Sequence, residues 1–303
     1  MFAITVGLDG SPESLAAADW AAREAAQREV PLRLLHAEDS LRPLYVPFMG
    51  AAAPDVIEQR AWAARLLSET ESRLGERHPG LRITTRQAEE QPVPALLSAA
   101  EDTELLVLGS HRLGTVAGFL VGSVALAVVA RTERPVVLVR AGEHAEDEHL
   151  PDATGAGAIA TPYRDVVLGL DLESPGDAVV EFAFEAARRR AACLRVVHGW
   201  NPAAVYGYGA ALDAGLGTEL AEEAQHELSD VLRPWKDKFP GVEVREQTAI
   251  GGAGRHLVDA SRDASLVVVG RKKRQAPIGG RIGPVTHAVL QHASAPVAVV
   301  PHD

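Results

Sequence analysis

Val6-Gly7-Leu8-Asp9 returns 162 positions later as Leu168-Gly169-Leu170-Asp171, and that return decides the fold. Working outward, Leu34-Leu35-His36 returns as Val196-Val197-His198 at the same offset. Pro79-Gly80 returns as Pro240-Gly241, Val107-Leu108-Gly109 as Val268-Val269-Gly270, and Arg134-Pro135-Val136 as Ala295-Pro296-Val297, each 161 positions on. One position slips, and the order is otherwise kept. Solenoid repeats run about 20–50 residues, so a period this long means two homologous domains in tandem. The landmarks place them at 1–141 and 163–303, with 142–162 as a linker that is acidic at first and then rich in Gly and Ala. Gly155-Ala156-Gly157 in that linker formally matches a dinucleotide fingerprint, but it follows no strand and opens no amphipathic helix.

Within each half short apolar runs alternate with helical periodicity. Phe2 to Leu8 and Val166 to Leu170 read as first strands, each followed by an Ala-rich segment with apolar spacing near 3.6. Ser11 caps the first of these helices with Pro12 at its first position, and Ser174-Pro175 repeats the signal one residue out of step. Leu32 to Ala37, Leu81 to Gln87, Leu105 to Leu108 and Val136 to Val139 continue the first half. Leu194 to His198, Val242 to Gln247, Leu266 to Val269 and Val297 to Val300 continue the second. Strands that alternate with helices need crossover connections, which means an α/β fold: two open five-stranded parallel sheets, Rossmann-like, with helices on both faces.

Composition bounds the function. The chain has 303 residues, 47% hydrophobic and 23% charged, enough for two domains with cores of their own. Its net charge of −11 repels phosphate backbones and anionic lipid, so neither nucleic acid nor membrane is an expected partner. The opening MFAITVGLDGSP reads as a strand and not a signal peptide, and the 18-residue uncharged run Leu113 to Ala130 carries three glycines. A lone cysteine, Cys193, forms no intrachain disulfide, which fits a reducing cytoplasm. No lysine follows a glycine, which excludes a Walker loop, and there is no Gly-x-Ser-x-Gly, His-Glu-x-x-His or Cys-x-x-Cys. Trp20 and Trp62 fall in helical patterns and are expected to pack. His36 and His198 end equivalent strands, where a shared hydrogen-bonding or packing role outweighs catalysis.

Ligands of open α/β sheets bind beyond the carboxyl ends of the strands, at the switch in strand order. Asp9 ends the first strand there, as an acceptor for an adenine or ribose or as a turn aspartate. Gly109 ends the fourth and opens the loop Gly109-Ser110-His111-Arg112-Leu113-Gly114. Gly122-Ser123-Val124 opens the next helix, where amides and a hydroxyl can hold an anion, or where the glycine is a plain cap. Gly109, two residues, Arg112, nine residues, then Gly122-Ser123, in a domain that begins VGLDGS, resembles the universal stress protein family, whose pattern is glycine, two residues, a second glycine, nine residues and Gly-Ser.

The resemblance covers both halves. It implies ATP, alone or with Mg2+, held by Asp9, Ala37, Gly109, Gly122, Ser123 and Val124. Arg112 stands where the family has its second loop glycine, so the loop turns at Gly114 or has changed shape, and in either case a guanidinium is in reach of a phosphate. His111 lies in the same loop. The second half departs further: Asp171 and Gly270 persist, but the loop reads Gly270-Arg271-Lys272-Lys273 and Gly-Ser becomes Gly283-Pro284, so a weakened or lost site is expected. The resemblance further implies an intrachain pseudo-dimer, a homodimer of such chains and a regulatory role exerted through an unidentified protein partner, with no turnover beyond slow hydrolysis. A protein-interaction module without nucleotide is the alternative. Adenylyl transfer is a third, disfavoured because Asp9-Gly10-Ser11-Pro12 is not a pyrophosphate loop.

Overall fold

The structure, a computed structural model, describes residues 2–38, 56–110, 122–200, 214–273 and 282–303. The chain divides into two compact units, Met1–His144 and Ala145–Asp303.

In unit 1, β1 (Ala3–Gly7), β2 (Leu32–Ala37), β3 (Ile83–Ala88), β4 (Thr103–Ser110) and β5 (Val136–Arg140) form a parallel sheet in the order β3-β2-β1-β4-β5. Four helices connect them: α1 (Pro12–Arg28), α2 (Val56–Arg77), α3 (Pro92–Glu101) and α4 (Ser123–Arg131). The order runs outward from β1 to β3 and then returns to β4 and β5. Right-handed crossovers therefore put α1 and α2 on one face and α3 and α4 on the other. Contacts agree, since α1 packs on α2 and α3 on α4. β1 and β4 are buried along most of their length, as central strands covered on both sides must be.

Unit 2 repeats the plan. β6 (Asp165–Gly169), β7 (Leu194–Trp200), β8 (Val244–Ile250), β9 (Ala264–Lys272) and β10 (Val297–His302) are parallel in the order β8-β7-β6-β9-β10. Their helices are α5 (Asp177–Arg190), α6 (Ala214–Lys238), α7 (Ala253–Ala260) and α8 (Pro284–His292). The alternation expected from sequence is the observed α/β architecture in both halves.

Three local readings need correction. α5 starts at Asp177 with Gly176 as its N-cap, so Ser174-Pro175 does not open it; Ser174 instead donates its amide to the Asp171 carbonyl at 3.3 Å. Trp20 is buried as expected, but Trp62 is 44% exposed: its indole crosses the edge of His36 at 5.5 Å and crowds Gly10. The linker expected at 142–162 belongs from Ala145 onward to the compact unit 2. A 3-10 turn (Ala145–Glu148) leads into paired bridges, His149 with Tyr163 and Pro151 with Gly157. The Asp152 carboxylate accepts from Thr154 N at 2.8 Å and Ala156 N at 3.2 Å, and His149 lies 4.0 Å from the Tyr163 ring. Gly155 sits at φ 83°, a turn conformation that suits glycine, so the formal fingerprint is turn chemistry.

Candidate functional site

The carboxyl ends of β1 and β4 face each other where the strand order of unit 1 reverses, and a cavity of about 290 Å³ opens there. Its floor is set by two glycines. A Cβ on Gly7 would come within 2.8 Å of Leu108 Cδ2. One on Gly109 would come within 2.6 Å of Glu13 C and 2.7 Å of Ser14 N, so the first turn of α1 lies directly on β4 only because residue 109 has no side chain.

Asp9 follows β1 and is held at the rim. Its Oδ1 accepts from Ser11 N at 3.0 Å and Ser11 Oγ at 2.5 Å, while Ser11 Oγ caps α1 by accepting from Ser14 N at 3.2 Å. Gly10, at φ 82°, makes the turn between them. Ala37 closes β2 on the other side of the crevice and pairs with Ala88 of β3. Across from them α4 begins. Gly122 is its N-cap and carries no side chain to satisfy the first-turn amides; the first intrahelical bond returns from Leu126 N to Gly122 O at 3.0 Å. The amides of Ser123, Val124 and Ala125 precede that bond, and these three residues line the cavity, where the positive end of the helix favours an anion. Leu35, Leu96 and Leu108 supply apolar walls between the carboxylate and the helix end.

Six of the residues named from sequence therefore meet in one cavity: Asp9, Ala37, Gly109, Gly122, Ser123 and Val124. His111, Arg112 and Gly114 lie outside the described residues. Sequence reasoning did not name Ser11, Ser14 or Pro92 as lining. Ser11 follows Asp9 as the cap of α1 and was legible as such, Ser14 is the first-turn residue whose amide that cap accepts, and Pro92 lines the cavity from the start of α3, with no signal beyond a helix-opening proline. His36 and His198 do play one shared role. Each Nδ1 donates to the carbonyl of the residue that directly follows the neighbouring first strand, Leu8 O at 2.8 Å and Leu170 O at 3.0 Å. Among the described residues no group of three or more His, Cys, Asp or Glu could hold a metal ion.

The counterpart in unit 2 is built from altered residues. Gly199 takes the place of Ala37, and Ala253 the place of Pro92; a Cβ on Gly199 would lie 2.5 Å from Ala253 Cα, so α7 rests on the end of β7. Thr286 takes the place of Ala125 and donates from Oγ1 to Gly270 O at 2.8 Å, tying the first turn of α8 to β9. Pro284 stands first in α8, so that position offers no amide. Pro284 thus removes one of the first-turn donors that Ser123 supplies in unit 1.

Comparisons with known proteins agree with the duplicated plan. The family model described as "Universal stress protein family" matches twice, over residues 1–140 and 162–301. A universal stress protein of Mycobacterium tuberculosis is 31% identical over 98% of this chain and 96% of its own length. The crystal structure of a universal stress protein from Archaeoglobus fulgidus superposes with a TM-score of 0.69 over 99% of this chain and 98% of that one, at 14% identity. A shorter universal stress protein, solved in complex with cAMP, covers 46% of this chain and 98% of its own at 29% identity, with a TM-score of 0.34. No described helix is long and apolar enough to cross a membrane. With the family's domain matched in each half and relatives alike over nearly their whole length, the chain belongs to the universal stress protein family.

Proposed function

We propose that the crevice of unit 1 binds an adenine nucleotide, ATP, and that the protein is a cytoplasmic stress-response regulator acting through nucleotide-dependent conformation or partner contacts. The observation that carries this reading is the pairing of an oriented carboxylate with a helix start whose N-cap is a glycine, across one apolar cavity. Asp9 is presented by Ser11 as an acceptor for the base or ribose, beside the small Ala37. The amides of Ser123 and Val124 and the Ser123 hydroxyl face the phosphates. The volume lies near the small end of the range for ligand sites, about 300 Å³.

A binding role suits the lining better than a catalytic one. Asp9 is the sole titratable side chain among the described lining residues, and its Oδ1 already serves Ser11. Nothing in that set can act as both acid and base, so hydrolysis would be slow. Mg2+ would arrive on the nucleotide's phosphates.

Calorimetry with ATP and Mg2+ tests the reading, on the wild type and on a Gly122→Asp/Ser123→Ala double variant. Aspartate is a good N-cap, so the variant keeps α4 started while its carboxylate competes for the same amides and repels phosphate. The expected result is saturable binding of about one ATP per chain, with affinity lowered at least ~100-fold in the variant, the loss of two charge-assisted contacts. Well-folded wild type that binds no adenine nucleotide sinks the reading and turns attention to protein partners alone.

A further inference from the structure

The last residues of unit 2 fill a place that the first turn of α1 occupies in unit 1. α1 begins at Pro12 and lays its first turn on Gly109. α5 begins at Asp177, three positions later in the repeat, and nearest to Gly270 lies the imidazole of His302 instead. A Cβ on Gly270 would come within 2.7 Å of His302 Nε2 and 2.9 Å of Cδ2. The same ring presses on Gly176, the N-cap of α5, where a Cβ would come within 2.5 Å of Cγ and 2.6 Å of Nδ1. Two glycines thus leave a slot, and the ring fills it. β10 continues to His302, in register with Lys272, and Lys273 N donates to His302 O at 2.7 Å.

We propose that His302 is a proton-sensitive latch: its neutral imidazole replaces the missing first turn of α5, bolting the C-terminal strand to that helix at the mouth of the second crevice, and protonation withdraws it. The slot suits an uncharged ring. On the α5 side the ring meets the positive end of a helix, with Asp177 in its first turn. Burial comes first among the causes that hold the imidazole below its ordinary proton affinity, and Lys272 of β9 adds to it. Asp171, which follows β6, and Asp303, whose main-chain oxygen accepts from Nδ1 at 3.0 Å, work the other way without prevailing. A histidine whose folded pKa is depressed contributes stability that is present above its free value of about 6.5 and is lost as pH falls through the folded value. The latch therefore holds at neutral pH and loosens in acid.

The test uses the full chain. NMR titration of the His302 ring, assigned with a His302→Gln variant, is read beside amide exchange at Lys273, with the core amide of Val267, bonded to Pro296 O at 2.9 Å, as the reference. Expected are a His302 midpoint below that of a free histidine and a protection of Lys273 that falls relative to Val267 by up to ~tenfold per pH unit across that interval. His302→Phe fills the slot without titrating and should flatten the pH dependence. A ring that titrates at or above the free value, or Lys273 protection that stays constant relative to Val267 through the titration, overturns the latch. The wild-type measurement decides even if the phenylalanine variant does not fold.

Discussion

Gly109 shows how much of this architecture rests on single atoms. Adding one methyl there places it 2.6–2.7 Å from the main chain of α1, which cannot step aside as a flexible side chain can. Gly109→Ala should therefore cost about 1–3 kcal/mol, the range for overpacking, and weaken ATP binding because Asp9 and Ser11 ride on the displaced turn. Gly75 is the internal control. It lies within α2, exposed, with nothing within 4 Å of a built Cβ, so Gly75→Ala should stabilise by about 0.5–1 kcal/mol. Urea unfolding of both variants, monitored at equal slope, separates the two outcomes. Opposite signs are expected; equal signs would show that the contact at Gly109 relaxes freely. At this scale the sequence was readable where a residue type has one use, as with the Ser11 cap and the strand-ending histidines. It was not readable for Trp62, because helical spacing assigns a face of α2 without saying whether that face is covered at its N-terminal half.

Helix ends carry the clearest imprint of the duplication. α1 stops at Glu29, φ 56°, and α5 at Ala191, φ 47°, two non-glycine residues in the left-handed region at matching repeat positions. In each, the following amide returns to the last turn, Val30 N to Ala25 O at 3.1 Å and Ala192 N to Ala187 O at 3.0 Å, the bond that glycine usually makes easy. Both side chains are exposed and hold no core contact that glycine would forfeit. Glu29→Gly and Ala191→Gly should each raise stability by about 1 kcal/mol, the cost of a Cβ in that conformation, observable as a higher thermal midpoint. No gain in either would mean that entropy of the unfolded glycine chain offsets the relief. Helix starts are where the halves diverge and where sequence reading slipped. Ser174-Pro175 carries the opening signal, yet α5 starts at Asp177 and the slot beside Gly270 is filled by His302, a residue 125 or more positions away along the chain that no local pattern could connect to it. The strap before β6 escaped for a similar reason: Gly- and Ala-rich composition describes a flexible coil, whereas Asp152 and the His149–Tyr163 pair organise it through contacts that composition does not register.

For the molecule as a whole, duplication followed by divergence predicts unequal halves. Both units keep the aspartate after the first strand and the glycine at the end of the fourth, and equivalent arginines still pair with equivalent acids: Arg33 with Asp102 at 2.8 Å, Arg195 with Asp263 at 2.9 Å. The crevice is one of the places where they differ, since Ala37, Pro92 and Ala125 become Gly199, Ala253 and Thr286. That ion pair has been kept on both sides while residues of the cavity wall changed on one. A ligand that binds the folded form at 100 times its Kd stabilises it by about 2.7 kcal/mol, and only amides that open with its site share that gain. ATP should therefore slow amide exchange in unit 1, most at the α4 start and the Asp9 turn, and leave β6, β7 and β9 near their ligand-free rates. Hydrogen-exchange mass spectrometry of the intact chain with and without ATP reads both units in one experiment. Protection confined to unit 1 would mean that the second domain has become a partner surface or a sensor with its own input. Equal protection in both would show either a second nucleotide or units that open together, and the number of ATP bound per chain tells those two apart.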